Sequence, residues 1–191
     1  VGSVPGSFTI SVENDIPVQN ANTSSGTVEE EQLNNFVTAT GFGSTGNEDT
    51  DASPDLDNDT TANFNITTAV ASGSLSGLVT VGADEPASFG LRVISAPEDS
   101  GLNSKGGDVL VVSDGTTLTG FVNLGGGAGY DAGTDRLVFT FALSGTDNAT
   151  WTFTLNDQLD HAAPPPGTAV ENNLSIDFSG YVTASDFDHD T

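Results

Sequence analysis

Apolar and polar residues alternate along most of this chain. In Phe8-Thr9-Ile10-Ser11-Val12 every second side chain is apolar, so an extended segment there buries one face and wets the other. The same period returns at 63–67, 74–81 and 89–94, and again at 109–113, 117–123, 137–144 and 149–155. A last run, 178–183, has the aromatic and β-branched content of a strand. Gly, Asp and Asn punctuate these segments as turns. No stretch of helical length carries a 3.6-residue period. Short strands at intervals of about 8 to 12 residues predict an all-β fold, a β-sandwich of antiparallel strands with at most short helical turns.

Two such turns are expected. Thr27, followed three residues later by Glu30, fits a capping box and predicts a turn or two of helix over 27–33. Residues 157–160 read as a second helical or 3-10 turn. The run Ala162-Ala163-Pro164-Pro165-Pro166-Gly167 reads as an exposed extended loop. Trp151 alternates within Thr150-Trp151-Thr152-Phe153 as a core residue would, in preference to a sugar-stacking platform.

Charge changes the picture. The 191 residues hold 27 acidic and three basic side chains, a formal charge of −24. Nucleic acids and anionic membranes are therefore excluded as partners unless cations screen the surface. Cysteine is absent, which removes disulfides, thiolate metal sites and a cysteine nucleophile. No apolar run reaches the roughly 18 residues of a membrane span, and no basic leader precedes a hydrophobic segment. The chain is expected to form one calcium-stabilised domain over 1–191. Its first 17 residues form a strand and an acidic joint, stiffened where Ile16 precedes Pro17.

The acids are clustered in a way that selects a partner. Asp186, Asp188 and Asp190 recur at every second residue straight after a strand pattern, as do Asp55, Asp57 and Asp59 within a polar loop. In an extended segment such residues point the same way and repel one another unless a cation lies between them. Calcium suits them, because it takes about six to eight oxygen ligands in irregular geometry. The plainer alternative is a solvated acidic surface. Glu13, Asp15, Glu48, Asp49 and Asp131 are the next candidate ligands. The Asp55 run is not an EF-hand, since the glycine after the third ligand and the later glutamate are missing.

Gly126-Gly127-Ala128-Gly129-Tyr130-Asp131 fits the opening of a calcium-binding nonapeptide repeat but occurs once, and a β-roll needs consecutive copies. It reads as a hairpin loop, with Asp131 or Asp135 as an isolated ligand at most. Enzymatic candidates are sparse: His161, His189, one lysine and no GxSxG elbow. A two-carboxylate glycosidase site would sit among several aromatic residues, and the chain has one Trp and two Tyr. The expectation is a non-catalytic protein.

The segments WTFTLNDQLDH (151–161), NNLSIDFSGYVTASD (172–186) and DFDHDT (186–191) resemble the modules of giant repeats-in-toxin adhesins exported by type I secretion. The likeness covers roughly the second half of the chain. In such modules a strand ending in an acidic joint follows the terminal acidic element. Here GSFTISVENDIP (6–17) stands at the start instead, which means either a cut across a module boundary or a first strand lying beside the last. The resemblance implies an extracellular, bacterial-surface setting with several Ca²⁺ ions and neighbouring modules of the same adhesin. It also implies a peptide, protein or glycan partner on a target cell, bound at calcium-organised loops. A non-binding structural spacer is the alternative it leaves open, and a carbohydrate-binding module a lesser one.

Overall fold

The computed structural model describes residues 16–30, 32–35, 37, 66–82, 85–161 and 174–187. Their regular structure is all β: β1 (Val18–Gln19), β2 (Ala69–Ser74), β3 (Val79–Thr80), β4 (Ser88–Leu91), β5 (Ile94–Ser104), β6 (Gly107–Ser113), β7 (Thr117–Val122), β8 (Arg136–Ser144), β9 (Thr150–Leu155) and β10 (Val182–Ser185). A lone 3-10 turn, Thr146–Asn148, links β8 to β9.

Six strands form one antiparallel sheet in the order β2-β9-β8-β7-β6-β5. From β5 to β9 the chain meanders, each strand pairing with the next, and β2 closes the far edge beside β9. The predicted alternation sets the register. Ala71, Phe153, Phe141 and Leu118 stand in one row across the sheet, and Ala69, Leu155, Phe139 and Gly120 in the next. Their neighbours face the other way: Val70, Thr154, Thr140 and Thr119 form one outward row, Ser72, Thr152, Ala142 and Thr117 another. Both outward rows are uncharged, on a chain whose formal charge is −24.

The apolar face is covered by a second layer built from two short antiparallel pairs, β4 with β10 and β1 with β3. β4 contributes Phe89 and Leu91 to a core that also holds Val109, Val111, Phe139, Phe141 and Trp151, with Phe178 and Tyr181 packed against it. The result is a β-sandwich.

Three local expectations are corrected. Residues 27–30 form no helix; Glu30 instead turns its carboxylate onto the Leu159 N–H and His161, while Leu33 bridges Ile66 in parallel. Residues 157–160 are not helical either: the segment is extended past a bend at Asp157, and Asp157 and Leu159, two residues apart, are both buried. The closing strand begins at Val182, not at 178. Phe178 is held back by its ring, stacked on Phe141 with centroids 4.4 Å apart, and the Tyr181 N–H closes a turn onto the Phe178 carbonyl. An unexpected strand is β5, 11 residues long, whose pairing with β6 slips twice through bulges.

Candidate functional site

The gap between the two halves of the second layer is a cavity of about 1520 Å³. Its floor is the apolar face of the large sheet, with Phe141, Trp151, Phe153 and Leu155; Phe89 and Phe178 flank it. The aromatic rings form a continuous set. Phe178 stacks on Phe141 and tilts against Phe153 at 5.7 Å, and Phe141 stacks on Trp151 at 5.9 Å. Trp151 is 6 % exposed, as a core strand residue should be, and its indole N–H donates to Ser24 Oγ at 2.7 Å. Two glycines make room for it. A Cβ at Gly73 would stand 2.6 Å from the indole, and one at Gly26 would stand 2.8 Å from it.

The rim is polar and acidic. Glu30 accepts the Leu159 N–H and lies 3.4 Å from His161 Nε2. Asp177 accepts the Ser179 N–H at 2.8 Å, and that backbone bond, with the Ser179 hydroxyl, holds its carboxyl below the usual range. An apolar floor with a few convergent polar groups is the general form of a binding cleft, and this one is larger than most small-molecule pockets.

The sequence-predicted metal ligands fall in three groups. Glu13, Asp15, Glu48, Asp49, Asp55, Asp57, Asp59, Asp188 and Asp190 lie outside the described residues. Asp186 follows β10 directly, as expected, and is 2 % exposed. Asp131 lies in the β7–β8 loop, where Oδ1 accepts the Gly133 N–H at 2.9 Å and Oδ2 the Thr134 hydroxyl at 3.3 Å. Among the described residues no three Asp, Glu or His side chains converge on one point.

Asp135 organises that loop. Its Oδ1 accepts the N–H groups of Leu124 and Gly125, and its Oδ2 that of Asp131. These backbone donors, the Asp131 N–H foremost, hold the carboxyl below its ordinary value. The glycine-rich motif is thus a hairpin loop closed by a carboxylate that binds backbone.

One polar centre escaped the sequence reading. Asp157, 5 % exposed, receives Lys105 Nζ on Oδ1 at 2.6 Å and Arg136 Nη1 on Oδ2 at 2.6 Å. Asn35 Nδ2 also donates to Oδ1, at 2.8 Å. Arg136 further binds the Ser104 hydroxyl and carbonyl, each at 2.7 Å, and the Ser104 hydroxyl donates to the Gln158 carbonyl. The motif 151–161 is where this network is anchored. Its signal in the sequence was limited to two acids, Asp157 and Asp160, beside an apolar strand.

No family model, curated protein or solved structure matches the chain.

Proposed function

We propose that the protein is a calcium-dependent, non-catalytic adhesion module of a large extracellular bacterial adhesin of the repeats-in-toxin kind, binding an extended peptide or protein segment. One observation carries the reading. Arg92 pairs with Glu98, and Lys105 and Arg136 both pair with Asp157, so every Lys and Arg of the chain is committed to two carboxylates. The chain has no further Lys or Arg to offset the rest of its 27 acids. Clustered acids such as Asp55, Asp57 and Asp59, or Asp186, Asp188 and Asp190, then need cations from solvent, and a hard dication with oxygen ligands fits them.

The groove supplies the ligand site in this reading. An extended peptide lays alternate side chains onto an apolar floor while its backbone meets strand edges, the usual mode of recognition by a sheet. Calcium bound in neighbouring loops keeps the groove walls rigid and so lowers the ordering cost of binding.

The test is a peptide and glycan array probed in calcium and in EGTA, with thermal melting under both conditions. Peptide binding in calcium, lost in EGTA together with a fall in Tm, is the expected result. A Tm indifferent to chelator overturns the calcium reading. An array blank in both conditions, with a calcium-dependent Tm, leaves a structural spacer, and glycan binding alone makes the groove a carbohydrate site.

A further inference from the structure

Lys105 is the sole lysine of 191 residues, and its placement is unusual in three respects. It occupies the turn between β5 and β6 with φ of 51°, a left-handed conformation that glycine and asparagine adopt far more readily. Its backbone N–H and that of Gly106 are locked onto Asp160 Oδ1 and Oδ2 at 2.7 and 2.8 Å. Its side chain is only 15 % exposed and ends on a buried carboxylate oxygen that also receives the Asn35 amide. Two nitrogens on one oxygen, at 2.6 and 2.8 Å, can be no farther apart than those two lengths together. Asn35 is held there in turn: Leu33 is fully buried, and the Asn34 N–H binds the Ile66 carbonyl at 2.8 Å.

A primary amine, a carboxamide and a carboxylate touching both are the three groups that amide exchange requires. We propose that Lys105 and Asn35 become joined by an intramolecular isopeptide bond, with Asp157 as the proton carrier between them. Asp157 Oδ1 takes a proton from the Lys105 ammonium, and the freed Nζ lone pair attacks Asn35 Cγ. The Cγ–Nδ2 bond then breaks. Nζ keeps one hydrogen and gives up two, both relayed through Asp157 to the departing nitrogen, which leaves as ammonium. Atoms and charge balance without an oxidant or an outside reagent.

Two features favour the forward direction. Fixing both reactants against one oxygen in a water-poor site replaces a bimolecular encounter with an internal one. The starting state also places two cations, Lys105 and Arg136, on a single buried carboxylate, and the product leaves Arg136 alone with Asp157. The bond would tie the segment around Asn35 to the β5–β6 hairpin. It is independent of the calcium reading, since none of its three residues is a proposed calcium ligand.

The test is the intact mass of the folded, then denatured, 191-residue chain, followed by trypsin digestion. The expected mass is the sequence mass less one ammonia. Trypsin should fail to cut after Lys105, and fragmentation should give a branched peptide joining residues 35 and 105. Lys105→Arg and Asn35→Ala should each return the full mass while keeping the β-rich circular dichroism of the parent. A parent chain at full mass and cleaved after Lys105 overturns the proposal. So does ammonia loss that persists in Lys105→Arg, which places it elsewhere, or loss of water with Lys105 joined to Asp157. Should either variant fail to fold, the branched peptide of the parent chain decides alone.

Discussion

Trp151 owes its place to what is missing around it. The indole lies against Gly73 and Gly26, and a methyl group at Gly73 would enter it at 2.6 Å. Gly73→Ala should therefore destabilise the fold by about 1–3 kcal/mol, the usual cost of overpacking a filled core, read as a lower urea midpoint with unchanged slope. Asp135 illustrates the opposite case, a side chain defined by the groups it gathers. Three backbone N–H groups converge on its carboxylate and lower its pKa in the folded state below the ordinary 3.8. The folded form then binds fewer protons than the unfolded one. Its contribution is present above the ordinary value and is lost as pH falls through the lowered one. Asp135→Asn puts an amide donor beside these donors, so it should unfold more readily at pH 7. The gap to the parent chain should begin to narrow as pH drops below about 4, where the unfolded chain's carboxylate takes up its proton, and should close below the lowered folded value, where the folded parent protonates as well; parallel acid titrations followed by Trp151 fluorescence would check this.

Strands whose residues alternate strictly are legible in the sequence. β6, β7, β8 and β9 lie within a residue or two of the expected runs because Thr-Leu-Thr, Phe-Thr-Phe and Trp-Thr-Phe leave no doubt about which face is buried. β5 was not legible. Its Ile94-Ser95-Ala96-Pro97-Glu98-Asp99 start contains a proline and two acids, which an edge strand with bulges tolerates and a period-2 reading rejects. The Asp157 centre was hidden for a different reason. Its partners come from the β5–β6 turn, the start of β8 and a segment 122 residues away, and the sequence shows no local spacing that would join them. Four separate parts of the chain thus meet at one carboxylate. Asp157→Ala leaves Lys105 and Arg136 facing each other without their shared anion, and should cost about 3–5 kcal/mol. Arg136→Met, which removes one cation and keeps the Asp157 carboxylate with its Asn35 and Lys105 neighbours, should cost less, and urea unfolding of the two variants would rank them.

Across the whole molecule, 27 acids face three bases. With Arg92, Lys105 and Arg136 all engaged, the remaining acids repel one another through the folded state more strongly than through an expanded chain. Two remedies act on that repulsion in different ways. Monovalent salt screens it everywhere, with a Debye length of about 10 Å at 0.1 M falling to about 3 Å at 1 M. Calcium, under the proposed function, would act locally, binding where acids cluster and stabilising the native state by mass action. The two should therefore substitute for each other. In EGTA the Tm should climb steadily with NaCl from 0.1 M to about 1 M, as the Debye length shrinks below the separations between acids. With calcium present the starting Tm should be higher and the same salt series should flatten, because the closest carboxylates are already neutralised. Equal salt slopes with and without calcium would mean that the ion relieves none of the repulsion, and the electrostatic basis of the proposed function would fail with it. A scan of the 191-residue chain by differential calorimetry, at fixed pH and protein concentration, separates the two outcomes directly.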